Sequence, residues 1–319
     1  MPAMVTWLPE RSEASVRDAL AAVAPALRGH VVLHDSWVDT GNPLWSRGTA
    51  FVDDQWVVKF AWSKEAADKL VREGAVIEAV GSVPGGPPVA PLLVRSIDPA
   101  MFVAPLQPGH PLAFEITGGL DPPTKRRIGD ELGRTLAALH RPATLAAVES
   151  HGLALPEPTP QADTESLRQR LAPLLDGRQA GLVRGWCDWV DTVLASPTEV
   201  VLLHGDFHGY NVVFDDEWRV VRVLDFEESS VGDPHYDFRY LPAQEATVAM
   251  LLHTVDSYER AAGRTVDLRR VMAWHVRTVC GDALWRTEAR VDLPGGGTPA
   301  TWIDELEQRF VALSVTIDT

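Results

Sequence analysis

Cysteine is scarce in this chain: Cys187 and Cys280 are the two thiols in 319 residues. They stand far apart and lack metal-ligand spacing. That excludes a disulfide-framed secreted domain or a cysteine-ligated zinc site and fits two thiols in a reducing cytosol. Positive charge is also in the minority, with 29 basic against 44 acidic residues and a net charge of −15. A surface of that sign disfavours nucleic-acid phosphates and anionic membranes as partners. It serves solubility first and would draw a cationic partner. The opening MPAMVTWLPE has neither a basic segment nor an apolar core, so it does not read as a signal peptide. No apolar run reaches the roughly 18 residues that a membrane helix needs, and no internal repeat is visible. These absences leave a cytoplasmic globular protein, monomer or homodimer, long enough for two lobes that each bury a core.

Residues 12–28 read as an amphipathic helix, with Val16, Leu20, Val23 and Leu27 at helical spacing, Ser12 to cap it and Gly29 to end it. Strand-like runs follow at 31–38, 48–52 and 55–61, the last two joined by Asp53-Asp54. Between the first two lies Thr40-Gly41-Asn42-Pro43-Leu44-Trp45-Ser46, a loop of turn formers. A helix at 63–80 and strands at 89–97 and 101–106 complete a strand-rich first third. Gln107-Pro108-Gly109-His110-Pro111 then breaks the pattern and sets a lobe boundary, with 1–106 as the small lobe and 107–319 as the large one. Helices dominate the rest, at 124–140, 165–175, 181–194, 243–262, 268–290 and 301–315, around a strand-loop-strand insert at 200–226. The pattern predicts an α+β protein: a small antiparallel-sheet lobe, a larger mainly helical lobe and a cleft between them.

The insert carries the densest chemistry: His204-Gly205-Asp206-Phe207-His208-Gly209-Tyr210-Asn211, then Leu224-Asp225-Phe226. An Asp, an Asn five residues later and a second Asp nineteen residues on are bounded by apolar runs. On that mount Asp206 suits a general base that meets a hydroxyl nucleophile. Asn211 and Asp225 suit the amide and carboxylate that hold Mg2+. A polar turn with Asp and Asn as caps explains each residue singly but not their joint spacing. Lys59 alternates onto the face of Val57 and Ala61, where a charge needs water or a partner. The following helix offers one, because its apolar stripe of Ala66, Leu70, Ile77 and Val80 contains Glu73, whereas Glu78 falls at the edge. A Lys59–Glu73 pair aims a lysine at nucleotide phosphates. Gly41 and Ser46 lie in the loop that would approach those phosphates, although one glycine is no fingerprint.

Gly205 and Gly209 make the two-histidine stretch a loop, not a metal-binding helix. His204 therefore reads as a loop organiser that hydrogen-bonds backbone, and the role of His208 stays open. Asp233 and Asp237 read as helix caps, with Asp233 the candidate anchor for the catalytic loop. Glu227 and Glu228 directly follow the metal-binding Asp-Phe pair, so they reach either a cationic acceptor or solvent.

Together these segments resemble the aminoglycoside phosphotransferase family, the small-molecule branch of the protein-kinase-like fold. His204 to Asn211 is similar to its catalytic-loop signature, and Leu224-Asp225-Phe226-Glu227 with Gly232-Asp233-Pro234 and Asp237 to its metal-binding signature. Val58-Lys59-Phe60 and Arg72-Glu73 resemble its lysine strand and partner helix. Leu132-Gly133-Arg134 through Leu139-His140 resembles the helix that opens its larger lobe. The likeness runs over about residues 30–245. It implies ATP or GTP between the lobes, with the base against a hinge at Phe102-Val103-Ala104-Pro105-Leu106. Val103, Ala104 and Leu106 offer backbone groups there, while Pro105 has no N–H. It also implies Mg2+ and transfer of the γ-phosphate to a hydroxyl of an antibiotic, most simply an aminoglycoside, and with it a role in antibiotic resistance.

Gly205 in place of the protein-kinase arginine, and Glu227 in place of the glycine of Asp-Phe-Gly, disfavour a protein substrate. The alternatives are a metabolite kinase of the same fold for an amino sugar, a sugar or a choline-like alcohol, a macrolide kinase, and a nucleotide-binding pseudoenzyme. The intact set of Lys59, Asp206, Asn211 and Asp225 speaks against the last. Acceptor contacts would fall after residue 240. Trp274, Trp285 and Trp302 are candidates there for stacking, and Asp256, Glu259, Asp282, Glu288 and Asp304 for ammonium groups, each equally at home in a core or on a helix surface.

Overall fold

A computed structural model of the chain describes residues 4–34, 42–293 and 297–317. Alternation in the first hundred residues becomes a five-stranded antiparallel sheet of order β1-β2-β3-β5-β4. Its strands are β1 Val31–Leu33, β2 Arg47–Val52, β3 Trp56–Ala61, β4 Val94–Ile97 and β5 Ala100–Pro105. The two faces sort by residue parity. Ala50, Val52, Val58, Phe60, Met101 and Val103 are buried against Val16 and Leu20 of helix α1, Glu13–Val23. The opposite face carries Lys59 paired in register with Thr49 on one side and Phe102 on the other, and Arg47 paired with Ala61. Helix α2, Lys64–Gly81, shares a core with Ala61 and Phe102 through Ala66, Leu70, Ile77 and Val80. Ser63 starts it by accepting from the Ala66 N–H at 3.2 Å.

The second lobe is built from α3 Pro122–Leu139, α4 Pro142–Ser150, α5 Gly177–Leu194, α6 Ala249–Ala262, α7 Leu268–Ala289 and α8 Pro299–Ala312. Helices α3 and α6 cross where α3 has no side chains. A Cβ on Gly133 would lie 2.4 Å from the Thr254 carbonyl oxygen, and one on Gly129 would lie 2.5 Å from His253 Cβ. Two small sheets flank residues 204–211. One joins β6 His110–Pro111, β8 Val212–Phe214 and β9 Val220–Val223, and the other pairs β7 Val201–Leu203 with β10 Ser230–Gly232. No described helix is long and apolar enough to cross a membrane.

Several expectations shift. The strand expected at 89–97 narrows to β4, and the strand at 31–38 is described to Leu33. Gly41 lies outside the described residues. Residues 165–175 do not form one α-helix. A turn at Thr164–Ser166 passes into a π turn at Leu167–Leu171 and a 3-10 turn at Ala172–Leu174, where Pro173 has no N–H to donate. The helix expected at 243–262 is broken after Gln244, and Val248 takes a left-handed backbone with φ +52° before α6 begins. Glu245 stands at the break, where its carboxylate accepts from the Met250 N–H at 2.8 Å and pairs with Lys125 at 2.5 Å. Helix α4, opened by Pro142 in its first turn, and strand β10 were not anticipated.

The α3–α6 crossing gives a stability test. Gly133→Ala is expected to cost about 1–3 kcal/mol through overpacking and to lower the melting temperature by several degrees. Gly181→Ala, which meets nothing within 4 Å on α5, should be neutral or stabilising. Equal melting temperatures for the two variants would contradict the close crossing.

Candidate active site

Strand β3 holds Lys59 on the cleft face, and α2 carries Glu73 to it. The Lys59 Nζ donates to Glu73 Oε1 at 2.7 Å and to Asp225 Oδ1 of the large lobe at 2.8 Å. Glu73 is 1 % exposed. Burial by itself would lower the Lys59 pKa, but the charges of Asp225 and Glu73 outweigh it and hold the ammonium well above its usual range. Burial raises Glu73, and Lys59 offsets part of that rise. Burial would raise Asp225 too, yet Lys59 keeps it lowered. Glu78, at the edge of the stripe, pairs instead with Arg95 on β4 at 2.7 Å.

Asp225 sits in left-handed backbone, φ +62°, at the mouth of a 3-10 turn over Phe226–Glu228. A non-glycine residue held there is a local cost that such sites retain for a purpose. The turn sends the next two carboxylates to the small lobe. Glu227, 7 % exposed, meets Arg47 of β2, and Glu228 pairs with Lys69 of α2 at 2.6 Å. Burial first, and then the charge of Asp225, push Glu227 up to about 8. Glu227 is therefore not a solvated residue, and both glutamates already hold cations of this chain.

The catalytic loop runs between β7 and β8. His204 is fully buried; its Nε2 lies 2.7 Å from the Leu224 carbonyl oxygen and its Nδ1 accepts from the Asp206 N–H at 3.2 Å. The anchor of the loop is Asp237, where the sequence pointed to Asp233. Asp237 accepts from the N–H groups of His204 and Gly205 at 2.8 and 2.9 Å and lies 3.1 Å from His140 Nε2. Asp233 caps the turn at Pro234–Phe238 through the His235 N–H at 3.0 Å and binds Arg270 at 2.7 Å and the Trp274 Nε1–H at 2.9 Å. The two aspartates stand four residues apart on one buried turn, and only the return of the chain over the loop distinguishes them. Gly205 has φ +84°, and a Cβ there would lie 1.9 Å from the Glu228 carbonyl oxygen.

Asp206 lies 3.2 Å from His208 Nε2 and 3.8 Å from Arg239 Nη2. Burial opposes its ionisation, but His208 and Arg239 prevail and hold the carboxyl well below the usual range. Arg239 was missed in the sequence. It is sandwiched between the rings of Tyr236 and Tyr240 at 3.9 and 4.2 Å and donates to the Gly205 carbonyl oxygen at 2.5 Å. An arginine flanked by two tyrosines was its one sequence signal. Asn211 spends its amide nitrogen on the Asp206 carbonyl and carboxylate oxygens, at 2.9 and 3.1 Å, which leaves Oδ1 as a ligand atom.

The donor set fits a hard cation. Oxygens of Glu73, Asp225 and Glu227 lie within 4.8 Å of one another, and Glu73 Oε2 and Glu227 Oε2 are buried without hydrogen-bond partners. Carboxylate oxygens suit Mg2+ and not a soft metal. At the hinge, the Leu106 N–H is engaged by the Gln55 carbonyl at 2.7 Å and the Val103 carbonyl by the Leu93 N–H at 2.8 Å. Arg222 takes the Pro105 carbonyl at 2.7 Å, and Ser46 is buried beside β2. Of the distal acidic candidates, Asp304 binds Arg178, Glu288 binds Arg170, Glu259 accepts from the Val266 N–H and Asp282 binds Arg286. Burial raises the Asp282 carboxyl, and Arg286 offsets part of that rise. Trp302 packs on the large core.

Asp237 gives a pH test. Burial would raise its pKa, but His140 and the two backbone N–H groups keep it lowered. A depressed folded pKa adds stability above the unfolded value of about 3.9 and loses it as pH falls toward the folded value. Asp237→Asn should therefore cost about 3 kcal/mol near neutrality and flatten the acid limb of stability. Urea melts from about pH 3 to 7 check this; an unchanged acid limb would remove Asp237 as its source.

Residues 40–288 match the model of the phosphotransferase enzyme family. The uncharacterized protein YcbJ of Bacillus subtilis strain 168 is 28 % identical over 183 residues, 52 % of this chain and 56 % of that protein. The match thus spans little more than half the length of that relative. Among solved structures, the GDP complex of aminoglycoside 2'-phosphotransferase-IIIa superposes with a TM-score of 0.68 at 17 % identity, over 95 % of this chain and 99 % of that one. Macrolide 2'-phosphotransferase type I gives 0.59 at 18 % identity, over 99 % and 100 %. These likenesses establish the two-lobed kinase-like fold, with its antiparallel sheet in the first lobe and helices in the second.

Proposed function

This chain belongs to the phosphotransferase enzyme family, and from that premise we propose that it transfers the γ-phosphate of Mg2+-bound ATP or GTP to a hydroxyl of a small molecule. The observation that carries this reading is Lys59 clasped by Glu73 and Asp225 across the cleft, on the same segment that supplies the ionised Asp206 and the oxygen of Asn211. Asp206 accepts the hydrogen bond of the acceptor hydroxyl and aims its oxygen. That oxygen bonds to the γ-phosphorus as the bond to the β–γ bridging oxygen breaks. The nucleoside diphosphate leaves with the electron pair, and the hydroxyl proton passes to Asp206. Asp206 is a weak base, which suits a loose transition state in which the nucleophile loses its proton late. Lys59 neutralises phosphate charge from the small-lobe side. Asp225 and Asn211 would hold Mg2+, with the oxygens of Glu227 and Glu73 at hand, and when bound it would offset charge on the phosphates.

The acceptor we place first is an aminoglycoside. The motifs of the catalytic loop and of the metal-binding segment carry that resemblance. A metabolite kinase is the alternative. A cytoplasmic site of action and a part in antibiotic resistance follow from the aminoglycoside reading, and the two unpaired buried thiols suit a reducing compartment. A coupled nucleotide-turnover screen against aminoglycosides, macrolides, amino sugars and amino alcohols tests the proposal. Diphosphate release that depends on an acceptor is expected; its absence throughout, with no binding of Mg·ATP or Mg·GTP, would overturn it.

Two variants separate the roles. Asp206→Ala is expected to lower kcat by about 10²–10⁴ with nucleotide affinity retained, because its carboxylate serves the acceptor. Asp225→Asn is expected to weaken Mg·ATP binding itself, because an anionic ligand is lost. Calorimetric titration beside steady-state rates checks both. Full turnover in the first variant, or unchanged affinity in the second, would contradict the assignment.

A further inference from the structure

Arg47 is a cation of the cleft with no part in this reaction so far. Arg47 opens β2 opposite Ala61, which places it on the face of Lys59 and one residue pair further from the hinge. Along that face Val57 lies opposite Ala104 at the hinge end, Lys59 opposite Thr49 in the middle, and Ala61 opposite Arg47 at the far end. Lys59 and Arg47 thus stand about 7 Å of strand apart, so a nucleotide whose base sits at the hinge would meet them with different phosphates.

Arg47 is also held in place. Its guanidinium lies 4.9 Å from the Trp45 ring centroid, donates to the Leu44 carbonyl oxygen at 3.2 Å and meets Glu227 across the cleft. Its charge acts on Glu73, Asp225 and Glu227 together. Glu227 in turn is 7 % exposed, with Oε2 unpartnered. A planar fork kept in a cleft by a carboxylate is suited to a two-oxygen anion.

We infer that Arg47 is the residue that holds the γ-phosphate, an inference that rests on the phosphotransferase reading of this cleft. In the ligand-free protein Glu227 positions the guanidinium. When the nucleotide enters, the fork passes from Glu227 to the terminal phosphate oxygens. It stays on the phosphoryl group while the β–γ bridging bond breaks and the acceptor oxygen bonds to phosphorus; the proton goes to Asp206, and Arg47 keeps all of its own. Charge on the transferring group is thereby met from the small lobe as it spreads over the oxygens. A mere latch between lobes would act differently: the Lys69–Glu228 pair joins helix α2 to the same large-lobe turn at 2.6 Å and contacts no phosphate in this scheme.

The discriminating experiment is calorimetric titration of the full chain with Mg·ADP and with the Mg2+ complex of the imido-bridged ATP analogue, in wild type, Arg47→Ala, Arg47→Lys and Lys69→Ala. Arg47→Ala should lose about tenfold or more in affinity for the triphosphate analogue and less than about twofold for ADP. Arg47→Lys, which keeps the charge without the fork, should lose part of the same preference and serves if the alanine variant does not fold. Lys69→Ala should move both affinities alike. Free guanidinium ion should restore part of the phosphoryl transfer of Arg47→Ala, a rescue that a structural latch would not allow. Parallel losses for the two nucleotides in the Arg47 variants, or a selective loss in Lys69→Ala, would overturn the inference while wild-type binding keeps the phosphotransferase reading intact. Wild-type protein that binds neither nucleotide would overturn both.

Discussion

A lysine ammonium shared between a small-lobe glutamate and a large-lobe aspartate is the interaction on which the cleft depends. Lys59 lies within 2.8 Å of both carboxylates. Attraction at such range is about 6 kcal/mol at an effective dielectric near 20, but desolvation of Glu73 and Lys59 opposes it. The net contribution to stability is therefore modest. What the cluster fixes is position, because losing any one member strands a charge in a buried setting. The lobes meet through other polar groups as well: Arg47 with Glu227, Lys69 with Glu228, and Arg222 with the Pro105 carbonyl oxygen. A nucleotide can enter such a cleft by exchanging ionic partners instead of separating apolar surfaces.

The same cleft drives two carboxylates in opposite directions. Asp206 faces His208 and Arg239 and is held anionic. Glu227, buried beside Asp225, is pushed up to about 8 despite its contact with Arg47. Such divergence marks places where charge will be rearranged. Around Asp206 the arrangement is rigid: Asp237 fixes the loop backbone, Asn211 fixes the carboxylate, and Arg239 is clamped between two rings. Around Asp225 it is exchangeable, because Lys59 can trade one carboxylate for another anion and keep Glu73.

Local periodicity made much of this legible. Alternation set Lys59 on the cleft face, the helical stripe selected Glu73 over Glu78, and the spacing of Asp206, Asn211 and Asp225 between apolar strands foretold a mounted loop. What sequence could not supply were partners set by the return of the chain. Arg47 and Glu227 are 180 positions apart, and no periodicity links them. Asp237 and Asp233 have the same local setting and differ only in which reaches the loop. At the break before α6, Glu245 meets Lys125, a contact between segments 120 residues apart that no local periodicity signals.

A structure of the protein with Mg2+ and the imido-bridged ATP analogue tests the central claim most directly. The account predicts metal density on Asp225 and the Asn211 carbonyl oxygen, with Lys59 still on Glu73 but moved from Asp225 to phosphate oxygens. Phosphates bound away from this cleft, or a Lys59–Asp225 contact left intact beside a bound nucleotide, would contradict it.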